Sequence, residues 1–308
     1  MPLSETYQRQ VTLLLRVLPH VAAEDCFALK GGTAINLFVR DMPRLSVDID
    51  LTYLPVTLRE ESLAAIDAAM RRIANRIRAA MRDAQIVPST VQPENIITKL
   101  LIRYENAQVK IEVTPVLRGC VFDPVLQAVS PGVEEAFGFA EIRVVSFADL
   151  YAGKIVAALD RQHPRDFFDV RDLLTNEGIS DDLRRAFIVY LISHNRPMAE
   201  VLAPQRKPLE AEFVRGLEGM TKSPMCVEEL EATREDLIAA MVDAMPESHR
   251  RFLLSFKRGK PDWVLLGILA ASNLPAVQWR RQNLDRLSSE NRQKLIGNLE
   301  TVLFPARV

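Results

Sequence analysis

Asp48 and Asp50 stand two apart in Ser46-Val47-Asp48-Ile49-Asp50-Leu51-Thr52-Tyr53, and Glu112 stands between Ile111 and Val113. On a strand, a spacing of two sends both aspartates from one face, and Glu112 faces opposite to its apolar neighbours. If the two strands are neighbours, three carboxylates meet at one point of an otherwise packed sheet. Like charges crowded in this way repel unless cations neutralise them, and hard divalent ions, Mg2+ (or Mn2+), prefer such an all-oxygen setting. Two such ions that clamp a triphosphate and activate an attacking hydroxyl are the arrangement for nucleotidyl transfer, with an NTP as substrate. Upstream, Lys30-Gly31-Gly32-Thr33 opens toward Ala34-Ile35-Asn36-Leu37-Phe38. Two glycines there let backbone amides approach phosphate oxygens where a helix begins. A lone acid pair, a lone Gly-Gly-Thr or a lone strand glutamate is usually a solvated face or a plain turn. Their conjunction, in this order, carries the reading.

Two later motifs extend it. Lys154, in Ala152-Gly153-Lys154-Ile155-Val156, would present a point charge to the β- and γ-phosphates of a triphosphate; its bland alternative is a surface lysine of an Ala-rich helix. Asp166 and Asp169, three apart in Arg165-Asp166-Phe167-Phe168-Asp169, share a helix face. One would orient Lys154 or act as base toward the acceptor hydroxyl, while the other would be a cap or an ion pair with Arg165. Position slightly favours Asp169, and both stay open. His163 lies between the two motifs and reads as a loop residue.

The elements that must position these groups follow from periodicity. Residues 4–23 place apolar side chains at three- and four-residue steps, as a packed helix does. Phe27 to Leu29 reads as a strand before the glycines, and 46–53 as a half-buried strand ended by Pro55. Residues 58–84 form an Ala-rich helix with Leu63, Ile66, Met70, Ile73, Ile77 and Met81 on one side. Arg71, Arg72, Arg76, Arg78 and Arg82 lie opposite, a solvated face by default and otherwise a grip on an RNA backbone. Residues 96–104 and 109–115 pair as a hairpin across Glu105-Asn106-Ala107-Gln108, and a short strand follows near 142–145. From Ser146 onward the pattern is helical, with helices near 181–194, 208–220, 226–244, 247–257, 261–271 and 284–302.

The expected fold class is therefore α+β: a small mixed sheet with flanking helices over 1–160, then a mostly helical domain over 161–308 that contributes to the active site. With 39 basic against 40 acidic residues in 308, bulk positive charge cannot hold a nucleic acid, so any phosphate-binding surface is local. A second basic cluster, Arg280, Arg281, Arg286, Arg292 and Lys294, gives the helical part a similar option. Cys26, Cys120 and Cys226 lie far apart without metal-ligand spacing and read as buried thiols of a reducing cytoplasm. No stretch approaches the roughly 18 unbroken apolar residues of a membrane span, so no membrane partner is expected.

At the level of motifs, Gly31-Gly32-Thr33, Asp48-Ile49-Asp50 and Ile111-Glu112-Val113 resemble the three signatures of the DNA polymerase β-like nucleotidyltransferase superfamily. Lys30 to Ala34 with Arg44-x-Ser46-x-Asp48-Ile49-Asp50-Leu51, followed by the Lys154 and Asp166/Asp169 motifs, is more narrowly similar to the AbiEii/AbiGii-type toxins of type IV toxin–antitoxin systems. The resemblance covers roughly residues 25–175. Fourteen residues between Thr33 and Asp48 are more than the usual pattern has, which implies a longer loop around Arg40-Asp41-Met42-Pro43.

The resemblance implies a toxin that transfers NMP from an NTP to an acceptor, the tRNA 3′ end or another RNA, and so blocks translation. Asp48, Asp50 and Glu112 would hold the metals; Lys30, Gly31, Gly32, Thr33 and Lys154 would hold the nucleotide. A cognate antitoxin follows, without need of a stable complex, as does a place in phage defence. The alternatives are an enzyme of the same fold acting on a small molecule, as aminoglycoside nucleotidyltransferases do, or on a protein, and a non-catalytic nucleotide-binding regulator. The presence of all three acids argues against the regulator.

Overall fold

The computed structural model describes residues 5–305. The chain divides into two compact units, Met1–Ser146 with Met220–Ser223, and Phe147–Gly219 with Pro224–Val308. The helix that carries Lys154 thus belongs to the second unit, where the sequence reading put the division between 160 and 161.

In the first unit, α1 (Glu5–Ala22) leads to β1 (Phe27–Lys30), then α2 (Gly31–Ala34), which widens into a π-helical turn at Ile35–Val39. Next come β2 (Asp48–Tyr53), α3 (Arg59–Ala80), β3 (Gln85–Val91), β4 (Ile96–Tyr104), β5 (Ala107–Arg118), β6 (Val125–Ala128), α4 (Pro131–Phe137) and β7 (Glu141–Val144). The strands make one sheet in the order β3-β4-β5-β2-β1-β7-β6. It is mixed: β2 runs parallel to β5 and antiparallel to β1, while β1 runs parallel to β7.

Alternation decides the faces. Ile49, Leu51, Leu100, Ile102, Ile111 and Val113 are buried on the side where α1 and α3 pack. Each such side chain contributes about 1.5–3 kcal/mol of burial, which pins the register. Slipping any of these strands by one residue would exchange its apolar set for its charged one. The hairpin turn is tighter than expected. It uses only Glu105-Asn106, with Glu105 at φ +51°, and β5 begins at Ala107.

Two strands escape the periodicity reading. β3 is an edge strand whose residues are almost all exposed and include Pro88, so it carries no apolar alternation. β6 is the opposite edge, with Val125 and Leu126 exposed.

The long loop after the π turn is held at both ends. Asp41 accepts from Ser130 Oγ at 2.9 Å. Residues 220–223 return to it, with Leu45 N donating to Met220 O and Lys222 N to Pro43 O, both at 2.9 Å.

The second unit is built from helices: α5 (Phe147–Arg161), α6 (Pro164–Asn176), α7 (Asp181–Ser193), α8 (Met198–Leu202), α9 (Glu210–Gly216), α10 (Val227–Ile238), α11 (Glu247–Lys257), α12 (Pro275–Asp285) and α13 (Ser289–Leu303). α5 packs on α6 and α7 around Tyr151, Phe167 and Phe187. Gly178, at φ +68°, ends α6 as expected.

The helix expected at 261–271 is two 3-10 turns, Trp263–Leu265 and Leu269–Asn273, broken by Gly267 at φ +73°. The helix expected at 284–302 is divided by a cap at Ser288, which accepts from Asn291 N. Cys26 and Cys120 are half-buried, but Cys226 is exposed as the N-cap of α10, a correction to the expectation of three buried thiols.

Candidate active site

The register places four charged residues in one row across the first unit's sheet. Lys30 pairs with Asp50, Asp50 with Glu112, and Glu112 with Lys99. Asp48, two residues before Asp50, pairs with Lys110. All six side chains leave the face opposite to the one α1 and α3 cover, because they alternate with the buried Ile49, Leu51, Ile111 and Val113.

Lysines occupy part of what the sequence reading gave to metal. Lys110 Nζ lies 3.1 Å from Glu112 Oε2 and 3.4 Å from Asp48 Oδ2, and Lys99 Nζ lies 3.4 Å from Glu112 Oε1. Among the described residues no three acids, histidines or cysteines converge as a metal-binding group. Glu112 therefore sits beside Asp50 in register but is engaged by two ammonium groups. Partial burial pushes its carboxyl up, and Lys110 and Lys99 outweigh this and hold it below the usual glutamate range.

Asp50 differs. No hydrogen bond or ion pair reaches its carboxylate among the described residues. Burial first, and then the charge of Asp48, raises its pKa despite Lys110 and Lys30. A largely buried carboxylate beside a second one, Asp48, and without an ion-pair partner among the described residues fits a hard divalent cation.

The glycines explain how Asp50 is packed. Gly31 has φ +76°, and a Cβ there would lie 2.7 Å from Asp50 Oδ2. A Cβ on Gly32 would meet Ser46 Oγ at 2.7 Å and Arg44 Nη2 at 2.9 Å. The pair thus admits one acid on one side and a serine and an arginine on the other. Thr33 Oγ1 lies 3.3 Å from Ser46 Oγ. Lys30 reaches across β2 to donate to Thr114 Oγ1 at 3.2 Å, and burial lowers its pKa although Asp50 pulls it up.

Lys99, Lys110, Arg44 and Ser46 were given no site role by the sequence reading. For Lys110 the signal is parity, since 110 and 112 share one strand face; Arg44 and Ser46 precede β2, where strand parity gives none.

In the second unit, Lys154 is 8% exposed and lies 2.9 Å from Asp166 Oδ1 and 3.0 Å from Asp169 Oδ2. Both aspartates are buried and both pair with the ammonium, so Lys154 is not a surface lysine. Asp166 also accepts two bonds from Arg161, at 2.5 and 2.8 Å. Burial would raise the Asp166 carboxyl, but Lys154 and Arg161 hold it well below the usual range. Arg165 Nε donates to Gly216 O at 2.6 Å. His163 caps α6, its Nδ1 accepting from Arg165 N at 3.1 Å.

The arginine face of α3 is only partly open. Arg72 and Arg76 both bind Glu24, at 2.7 and 2.5 Å, and Arg76 also donates to His20 O. Arg76 is half-buried between helices α1 and α3, which removes it from a solvent-facing patch. Arg71 is paired with Asp67, Arg78 donates to Asn75, and Arg82 is exposed.

A family model for the nucleotidyl transferase AbiEii toxin of type IV toxin–antitoxin systems matches residues 12–283. No curated protein matches the sequence. Among solved structures, the chain is similar to MenT4, a nucleotidyltransferase toxin from Mycobacterium tuberculosis H37Rv, at 15% identity and TM-score 0.56, covering 97% of this chain and 95% of that one. Among the described residues no helix is long and apolar enough to cross a membrane.

Proposed function

Since the chain belongs to the AbiEii family of nucleotidyltransferase toxins of type IV toxin–antitoxin systems, we propose that it transfers NMP from an NTP to the 3′ end of tRNA or another RNA, and so stops translation. The family identity brings with it a nucleotidyltransferase activity and a cognate antitoxin; the need for a divalent cation belongs to the proposal. The RNA acceptor, the choice of Mg2+, the site residues and a role in phage defence are the proposal. A cytoplasmic location belongs with it, because the acceptor is there.

The observation that carries this reading is the register Lys30–Asp50–Glu112, with Gly31 pressed against Asp50. Asp48 and Asp50 would hold the cation, with Glu112 completing the set. A divalent ion held by these carboxylates would supply charge neutralisation for the triphosphate and the developing charge of the attack. Gly31 and Gly32 let Asp50, and Ser46 with Arg44, pack close against the turn where the phosphate chain would bind. Lys30, Lys99 and Lys110 supply positive potential along the row. Lys110 and Lys99 engage the carboxylates in the free protein and can turn to phosphate oxygens when the acids are otherwise neutralised. Glu112 is placed to accept a proton from the hydroxyl once its lysines turn away. Lys154, with the aspartates that hold it, is proposed to take part in the reaction.

The test is incubation with labelled ATP, CTP, GTP and UTP, Mg2+ and total RNA, beside Asp48→Ala. Label on a tRNA-sized band with wild type and none with the variant is the expected result. Label on no RNA with any nucleotide, or equal label with the variant, rejects the acceptor. Induction in a bacterium tests the toxin separately, since wild type and Asp50→Ala must then differ in growth.

A further inference from the structure

The charged face of the sheet continues beyond the acid row and stays open. Cross-strand partners share a face, so the rows of the register run outward from β5. Glu112 pairs with Lys99 and Lys99 with Ser89, while Asp48 pairs with Lys110, Lys110 with Leu101 and Leu101 with Val87. Two residues along from Leu101 on β4, Arg103 pairs with Gln108 on one side and Gln85 on the other. α1 and α3 pack on the opposite face, and here Ser89, Arg103 and Val87 are exposed, Val87 by 46%. This part of the face carries charge of one sign, since residues 85–89, 99–103 and 108–110 include Lys99, Arg103 and Lys110 and no acid. Lys99 and Lys110 are engaged by the acids of the row. Arg103 gives only its Nε, to Gln108 Oε1 at 3.0 Å, and pairs with no acid among the described residues.

We propose that this open face of β3, β4 and β5 seats the unpaired 3′-terminal segment of an RNA acceptor, with Arg103 on a backbone phosphate and Val87 and Leu101 beneath bases. The inference rests on the reading that the acceptor is RNA. Direction supports it. The strand order puts β2 between β5 and β1, so the glycine turn after β1 lies on one side of the acid pair and Glu112 on the other. With the NTP phosphates at the turn, an in-line attack brings the acceptor hydroxyl from the β5 side. Its oxygen bonds to the α-phosphorus as the bond to pyrophosphate breaks, pyrophosphate departs toward the turn, and the proton passes to Glu112. The nucleotides before the reacting one then lie over β4 and β3. Strands stand about 4.8 Å apart, which puts Leu101 roughly 10 Å and Val87 roughly 14 Å from Asp48 across the sheet.

The chemistry of the face selects the occupant. A duplex keeps its bases inside and would offer nothing to Val87 and Leu101, whereas an unpaired strand presents base planes between its phosphates. A partner strand added to the β3 edge is disfavoured by Pro88, which has no N–H to give.

The experiment uses the full chain as wild type, Arg103→Gln and Val87→Asp. An RNA oligonucleotide with an unpaired 3′ end is titrated by fluorescence anisotropy at several salt concentrations, beside transfer kinetics on the same RNA. Arg103→Gln is expected to weaken binding roughly fivefold and to lower the salt slope by about 0.7, the share of one phosphate on a single strand. Val87→Asp, which sets a carboxylate against the strand, weakens it by a similar factor. In both variants the loss falls on the KM for RNA and not on kcat or the KM for NTP. Wild-type RNA affinity and KM in both variants overturn the surface and leave RNA as the acceptor. RNA neither bound nor labelled by wild type overturns the surface together with the reading on which it rests.

Discussion

Gly31 and Asp50 meet so closely that a methyl group on Gly31 would lie 2.7 Å from Asp50 Oδ2, at a residue whose φ is +76°. The glycine is therefore required twice, by the backbone conformation and by the acid that packs against it. Replacing it strains the one carboxylate of the row that has no partner among the described residues.

Gly31→Ala is expected to destabilise the protein by about 1–3 kcal/mol, the cost of a side chain at a left-handed position. Because the added methyl displaces Asp50, transfer activity falls further than stability alone explains. Urea denaturation beside a transfer assay at a temperature where both proteins are folded separates the two effects.

Asp50→Asn is expected to abolish transfer, by about a hundredfold or more, while raising the thermal stability of the metal-free protein at neutral pH. Its folded pKa is raised, so ionisation on going from acid to neutral pH costs stability. The amide removes that cost. Tm measured in chelator at pH 5 and pH 7.5 should show a gain that is larger at the higher pH.

Asp166→Asn is expected to cost about 3 kcal/mol at neutral pH, because it leaves Lys154 and Arg161 without a buried carboxylate they share. The folded Asp166 pKa lies below its ordinary 3.8, so its contribution is present in full above that value and is lost as pH falls below it. Denaturant titrations between pH 6 and pH 3 should give a shallower acid loss for the variant than for wild type.

Glu24→Ala is expected to destabilise by about 1–3 kcal/mol, since it strips Arg72 and Arg76 of the acid that ties α3 to the end of α1. Arg78→Ala and Arg82→Ala should leave stability nearly unchanged and, if α3 meets RNA, each should reduce the salt slope of binding by about one. An RNA affinity unaffected by both would take α3 out of the acceptor surface.

The order of elements around the acids, their parity on strands and the helical second half were legible in the sequence. They follow from local rules: a period of two sends Asp48 and Asp50 to one face, and buried Ile and Val beside each charge decide which face it is. The family signatures are local for the same reason, because a glycine turn and an acid pair are short stretches of chain. What the tertiary structure alone decided is pairing. That Lys99 and Lys110 sit on Glu112 while Asp50 has no ion-pair partner among the described residues depends on which strands become neighbours and in what register. That Arg72 and Arg76 serve Glu24 depends on α3 meeting the segment just after α1, 48 and 52 residues away in sequence. Lys154 looked like a surface lysine or a phosphate ligand, and only packing of α5 on α6 shows it buried between two aspartates. A charged residue's sequence neighbours state where its backbone lies; its electrostatic state is set by groups that the fold brings from far along the chain, because Coulomb energy depends on the distance in space and on the dielectric between the charges.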